Sequence, residues 1–136
     1  MVDDHHLFRD GLTRILDSQI DFEVIGGATN GLEAIAEAQR LKPDLILMDV
    51  GMPICDGLEA TQQIKQASKD VTIVMLTVSD EDDKLFEAIR NGAQGYLLKS
   101  IRREKMLALL RGAVRGEAAI SPAMAGRMLE EFRRLD

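Results

Sequence analysis

Short apolar runs alternate with helical patterns along this chain. Five apolar runs predict strands, at residues 1–2, 22–25, 45–48, 71–76 and 96–98. Five amphipathic patterns predict helices, which begin near residues 4, 31, 56, 79 and 102. Strands that alternate with helices imply right-handed crossovers and a parallel sheet with helices on both faces. The pattern therefore predicts an α/β fold built on a doubly wound, five-stranded parallel sheet.

Two helix starts carry capping signals. Ser79 is the predicted N-cap of the fourth helix, with the acidic run at residues 80–83 in its first turn. Ser121 and Pro122 predict the start of a sixth helix. Its apolar positions recur at spacings of four, four and three residues, at Met124, Met128, Phe132 and Leu135. We predict a domain at residues 1–116 and a linker helix at residues 117–136, whose apolar stripe either docks on the domain or forms a dimer seam.

Composition narrows the class of protein. The chain has 136 residues, of which 46% are hydrophobic, so we expect one globular domain with at most a short extension. Its single cysteine, Cys55, allows no intrachain disulfide and fits a reducing cytoplasm. The sequence contains no apolar run that approaches the roughly 20 residues needed to cross a bilayer. A formal net charge of -6 argues against direct DNA binding, since phosphate contacts need clustered Lys and Arg.

Polar side chains follow four of the predicted strands at the point where each strand ends. They are Asp3, Asp4, Asp49, Thr77 and Lys99. Ligands bind beyond the carboxyl ends of strands in such sheets, so we expect these groups to meet at one edge. Two carboxylates about 4 Å apart repel by about 4 kcal/mol at an effective dielectric near 20, and a divalent cation removes that repulsion. One carboxylate can act as a nucleophile while the ammonium neutralises phosphate oxygens, so the set predicts a Mg²⁺ site that handles a phosphoryl group.

The motifs around these residues occur in a recognisable order. They are Val-Asp-Asp at 2–4, Met-Asp-Val-Gly-Met-Pro at 48–53, Leu-Thr at 76–77 and Gly-Tyr-Leu-Leu-Lys at 95–99. Over about residues 1–116 the chain resembles the receiver domain of bacterial two-component response regulators. Asp-Asp-His at 3–5, followed by Leu-Phe-Arg-Asp-Gly-Leu at 7–12, resembles the NarL/FixJ branch. That branch continues through a linker, which residues 120–132 resemble, into a LuxR-like helix-turn-helix that we expect to lie outside this chain.

The resemblance implies a fold and a role for each residue of the acidic site. The implied fold is flavodoxin-like, with strand order 2-1-3-4-5. Asp49 resembles the phosphoacceptor, and Lys99 resembles the lysine that binds its phosphate. Asp4 resembles a direct Mg²⁺ ligand, Asp3 a ligand through water, and Gly51 a ligand through its main-chain carbonyl.

The resemblance also implies a switch and partners. Thr77 resembles the switch hydroxyl that moves toward a bound phosphoryl group, and Tyr96 resembles the aromatic residue that turns inward afterwards. The phosphoryl donor would be a phosphohistidine on a sensor kinase, and we expect a homodimer after phosphorylation. Such a module catalyses only its own phosphorylation and dephosphorylation, and it controls transcription through its output domain.

Two positions depart from the family pattern. The family's lysine is often followed by a cis proline, but Ser100 follows Lys99 here, so we expect a trans bond. Receivers usually have a longer apolar run before the acidic pair, whereas only Met1 and Val2 precede it here. A central strand this short would leave its neighbours underpaired. We therefore expect a clipped N-terminus or a missed start codon, which intact-mass analysis of the native protein would test.

Two other functions stay open from the residues alone. Haloacid-dehalogenase-like hydrolases form an aspartyl-phosphate on a similar sheet, but they carry a second Asp two places after the nucleophile, where this chain has Gly51. A degenerate receiver would only bind partners, although the complete acidic set argues against it. For His5 and His6 we expect a helix-cap or surface role, because neighbours at a helix start point to different sides. For Cys55 we expect an exposed loop thiol.

Overall fold

Four parallel strands form the sheet of the computed structural model, which describes residues 1–52, 54–78 and 84–135. They are β1 (Leu45–Asp49), β2 (Thr72–Thr77), β3 (Gly95–Leu98) and β4 (Ala119–Ile120), in that order across the sheet. Asp49 is paired with Leu76, and Thr77 is paired with Leu98. This register brings the carboxyl ends of β1, β2 and β3 to one edge.

The first two positions of the expected strand order are reduced to single bridges. Val2 bridges Ala28 on one side and Met48 on the other, both in the parallel sense. The flavodoxin-like order 2-1-3-4-5 is therefore confirmed, with Ala28 in the second position and Val2 in the first. The predicted strand at residues 22–25 is wrong, because these residues form no ladder with any described residue.

The missing strand has a physical reason. A strand persists where a neighbour supplies hydrogen bonds along its length. The oxygen of Met1 accepts a bond from the amide of Ala28 at 2.9 Å, and the amide of Val2 donates to the oxygen of Leu47 at 2.8 Å. The terminal amine of Met1 also donates to the carbonyl of Gly26 at 3.3 Å, and the ladder ends there. Residues 20–28 and 41–47 line a groove of about 870 Å³ beside it.

The sequence pattern does not predict β4. Ala119 pairs with Gly95 and Ile120 pairs with Tyr96, in parallel, on the outer side of β3. The segment after Gly116 therefore adds a short strand to the sheet before the last helix begins.

Six helices surround the sheet within the described ranges: α1 (His6–Asp17), α2 (Gly31–Leu41), α3 (Gly57–Ala67), α4 (Leu85–Arg90), α5 (Arg103–Val114) and α6 (Pro122–Arg134). The side chain of Ser121 caps α6 by accepting the amide of Met124, which confirms the predicted start. The predicted cap at Ser79 and the acidic run 80–83 lie outside the described residues. The bond between Lys99 and Ser100 is trans, as expected. The helices of the described segments are too short or too polar to cross a membrane.

Both faces of the sheet are apolar. α1 and α5 cover one face, where Leu47 and Val74 are buried. α2, α3 and α4 cover the other face, which we call the α3 face and where Met48, Met75 and Tyr96 are buried. Successive side chains of a strand point to opposite faces, so a strand covered on both sides reads as a continuous apolar run.

The last helix docks on the α3 face. Met124 is 1% exposed and shares the apolar core of that face with Tyr96, and Met128 packs against the same core. Phe132 and Leu135 are each 68% exposed. Docking thus accounts for the first half of the predicted apolar stripe, and the second half faces outward.

Candidate functional site

The predicted site residues meet at the carboxyl edge of the sheet. Backbone hydrogen bonds fix their positions: Asp3 donates to Ala28 at 3.0 Å, Asp49 donates to Val2 at 2.8 Å, and Lys99 donates to Thr77 at 2.7 Å. Each residue stands where a strand or bridge ends, so the backbone of the sheet sets their spacing. The edge predicted from the apolar runs is the edge that the structure forms.

A single ammonium group joins two of the carboxylates. The Nζ atom of Lys99 lies 2.7 Å from Oδ2 of Asp3 and 3.4 Å from Oδ2 of Asp49. It also lies 4.8 Å from the centre of the Phe8 ring. Both carboxylates are almost fully buried, at 0% exposure for Asp3 and 5% for Asp49. The lysine therefore partly neutralises two acids that water barely reaches.

The environment of Asp49 makes it an unusually basic carboxylate. Burial and, to a lesser extent, the nearby charge of Asp3 raise the pKa of Asp49 from 3.8 to about 6. Lys99 and a hydrogen bond from the backbone of Gly51 oppose this rise. At pH 7 about nine-tenths of such a group is ionised, so it is an available nucleophile.

The donor set fits a divalent cation. Ligand atoms of Asp3, Asp4, His5 and Asp49 all lie within 4.8 Å of one another. The Oδ2 atoms of Asp3 and Asp49 are buried, and neither has a well-directed hydrogen bond to a described residue, although Lys99 is near both. Buried carboxylate oxygens that converge without such bonds form a ligand set that hard cations prefer.

Gly51 stands in the loop that follows Asp49. It is exposed, and a side chain added there would meet nothing within 4 Å among the described residues. Its backbone hydrogen bond to Asp49 places it beside the cluster. A ligand role for its carbonyl stays a prediction.

The two residues assigned to the switch lie beneath the cluster. Thr77 ends β2 and is 4% exposed. Tyr96 is fully buried on the α3 face, under the docked α6 helix. An aromatic residue expected to turn inward is thus already inside in this structure.

One expectation about side chains is confirmed and one is wrong. His5 stands at the N-cap position of α1 and its side chain is 65% exposed, as expected, although within the described residues the imidazole makes no cap hydrogen bond and its Nδ1 atom lies 3.1 Å from Oδ1 of Asp3. Its position directly after the acidic pair was the only signal for this in the sequence. Cys55 is 4% exposed rather than on the surface, because the loop after β1 folds its thiol against Gly31.

Known proteins match this chain along its length. A model of the response regulator receiver domain family matches residues 1–111. The transcriptional regulatory protein YxjL of Bacillus subtilis, itself uncharacterised, is 42% identical over 134 residues, covering 98% of this chain and 62% of that protein. The transcriptional regulatory protein LiaR of the same organism is 41% identical over 133 residues, covering 98% and 63%. The chain therefore spans less than two thirds of these curated relatives.

Solved structures agree with the fold. A two-component response regulator of the LuxR family from Aurantimonas sp. SI85-9A1 superposes with a TM-score of 0.88 at 29% identity, over 99% of this chain and 95% of that one. The response regulator domain of CheB from Thermotoga maritima superposes with a TM-score of 0.74 at 34% identity, over 89% and 95%.

Proposed function

Because this chain belongs to the response regulator receiver domain family, and resembles transcriptional regulators of the NarL and LuxR type, we propose that it is a phosphorylation-controlled switch for a transcriptional output domain. In the cytoplasm, Asp49 accepts a phosphoryl group from a phosphohistidine of a sensor kinase. The observation that carries the proposal is the contact of one lysine ammonium with two buried carboxylates, Asp3 and Asp49, at the sheet edge.

The chemistry at Asp49 is a group transfer. An oxygen of Asp49 forms a bond to phosphorus while the phosphorus–nitrogen bond of phosphohistidine breaks. The electron pair of that bond leaves with the imidazole, which takes up a proton. The raised pKa of about 6 makes this carboxylate more basic than an ordinary one while leaving it ionised at neutral pH. Hydrolysis of the aspartyl-phosphate by water then resets the switch.

The neighbouring residues hold the cation and the phosphoryl group. Mg²⁺, when bound, would neutralise the carboxylates and the incoming phosphoryl oxygens. Asp4 and Asp49 would bind it directly, Asp3 through water, and Gly51 through its carbonyl. Lys99 would transfer its ion pair from the acids to a phosphoryl oxygen, which its position between them allows.

The conformational switch involves Thr77 at the end of β2 and Tyr96 in β3, which lie below the site. Thr77 is bonded through its carbonyl to the amide of Lys99 at 2.7 Å, so a movement of β2 reaches the lysine. The hydroxyl of Thr77 turns toward the phosphoryl group, and the surface above Tyr96 and α4 changes with it. The phosphorylated form then associates as a homodimer and presents its output domain to DNA.

Phosphotransfer labelling with peptide mapping tests the proposal. Wild-type protein should take label from a phosphohistidine donor or acetyl phosphate only with Mg²⁺, on the peptide that contains Asp49. Asp49→Asn should take none, whereas Asp44→Asn, which changes an exposed acid just before the start of β1, should label normally. Equal labelling of both variants would remove Asp49 from its role.

The same experiment separates the alternatives. A wild-type protein that takes no label from any donor would be an interaction module, and rapid turnover of unrelated phosphate esters would identify a hydrolase. Sedimentation of the beryllofluoride adduct should show a dimer, and a persistent monomer would reject the proposed assembly.

A further inference from the structure

One side of the His5 imidazole faces the acidic cluster, and the other side faces solvent. Its Nδ1 atom lies 3.1 Å from Oδ1 of Asp3, 3.4 Å from Oδ1 of Asp4 and 3.5 Å from the Nζ atom of Lys99. The side chain is 65% exposed, so the rest of the ring remains open to water. One nitrogen is therefore placed among the carboxylates while the opposite ring edge can be solvated.

The spacing of these atoms matches that of ligands around one ion. Neighbouring ligands of an octahedral ion with bonds of about 2.1 Å are about 3 Å apart, and opposite ligands are about 4.2 Å apart. The contact of 3.4 Å between Nδ1 of His5 and Oδ1 of Asp4, which would bind the ion directly, is near the first value. All ligand atoms of the cluster lie within 4.8 Å of one another, a bound slightly larger than the second value. A bound cation would thus need little movement of the ring.

The backbone holds the ring in this place. The amide of His5 donates to Oδ1 of Asp3 at 2.7 Å, which fixes the residue beside the carboxylate that its own ring faces. The guanidinium of Arg9 donates to the carbonyl of Asp3 at 2.7 Å and anchors the same turn. His6 follows directly but points elsewhere, since its Nε2 lies 3.2 Å from Asp10.

We infer that His5 supplies a nitrogen ligand through Nδ1, so that the acidic cluster binds divalent transition metals such as Mn²⁺ or Co²⁺ in addition to Mg²⁺. The inference rests on the cation site of the proposed function. Imidazole is a favourable ligand for transition metals, whereas Mg²⁺ prefers oxygen and keeps its waters. His5 therefore raises the affinity of the cluster for transition metals and leaves its affinity for Mg²⁺ almost unchanged. The proton of the neutral ring then resides on the solvated Nε2.

Electron spin-echo spectroscopy of the Mn²⁺-loaded protein tests this directly, because a bound imidazole nitrogen modulates the echo. The wild type and His6→Ala should show nitrogen modulation, and His5→Ala should lose it. Titration with Mn²⁺ should show affinity lowered at least ~10-fold in His5→Ala, with His6→Ala unchanged. Competition with Mg²⁺ should show that the affinity for Mg²⁺ is unchanged within about twofold in both variants.

The outcomes separate this inference from the proposed function. Mn²⁺ bound to the wild type without nitrogen modulation would overturn the ligand role of His5, whatever the labelling of Asp49. Equal losses of Mn²⁺ affinity in the two alanine variants would overturn it as well. Conversely, normal modulation in a protein whose Asp49 takes no label would leave the metal site intact and reject the phosphoacceptor.

Discussion

Replacement of Asp49, the proposed phosphoacceptor, should stabilise the metal-free protein. Folding raises the pKa of Asp49 from 3.8 to about 6, chiefly by burial. The native state therefore holds a proton that the unfolded state has already released between about pH 4 and pH 6. The stability supplied by this group is greatest below that window and is lost as the pH rises through it. Asp49→Asn removes the ionisable group, so the variant should not lose this stability as the pH rises.

The size of the effect follows from the shift. About two pKa units at 1.36 kcal/mol each give about 3 kcal/mol. Asn should therefore raise the free energy of unfolding by about 3 kcal/mol at pH 8 and by about 1 kcal/mol at pH 4.5. Because Asp49 is only 5% exposed, solvent screening should reduce this free-energy difference little. The proposed role of Asp49 would explain why a residue that is unfavourable for folding occupies this position.

Urea denaturation followed by circular dichroism measures this, with a chelator present. Asp44→Asn, at an exposed position, should stay within about 0.5 kcal/mol of the wild type at both pH values. The reasoning would be refuted by an Asp49→Asn variant that is less stable than the wild type at pH 8, or by a difference that does not change with pH.

Three further changes test the packing and charges around the site. Lys99→Met leaves two buried carboxylates without a cation and should lower the free energy of unfolding by about 3–5 kcal/mol without metal, whereas exposed Lys105→Met should change it little. Met124→Ala should cost about 2–5 kcal/mol, and Leu129→Ala, at 58% exposure, should cost far less; equal losses would mean that α6 does not dock in solution. Ile54 has φ 71°, so Ile54→Gly should stabilise the protein by about 1 kcal/mol, and a loss in the same urea assay would exclude that backbone conformation.

The order of apolar and polar residues along the chain is enough to predict the main sheet and the edge at which the acidic cluster lies. β1, β2 and β3 are apolar without alternation because helices cover both faces, so their runs could be recognised without a partner in view. Polar residues directly after such runs must fall at the carboxyl edge, which is why Asp49, Thr77 and Lys99 were found by position alone. Ser121 and Pro122 likewise encode a helix start in local chemistry.

Elements that depend on a partner distant in sequence could not be predicted from local patterns. Residues 22–25 have the composition of a strand, but a ladder needs a neighbour along its length. The backbone hydrogen bonds of Met1 and Val2 reach no further than Gly26 on one side, and Leu47 and Asp49 on the other. β4 is two residues long, too short for any periodicity, and exists because the outer edge of β3 accepts it.

Some chemical properties of the site can be read from the sequence, and others depend on the folded structure. The residue types of the acidic cluster were plain in the sequence, but the pKa of Asp49 depends on burial that only the assembled core creates. The direction of the His5 ring depends on a backbone bond to Asp3, so neighbours that looked equivalent in the sequence, His5 and His6, face different partners. The sequence therefore specifies which residue types form the acidic cluster. The long-range contacts of the fold set the pKa values and the orientations of their side chains.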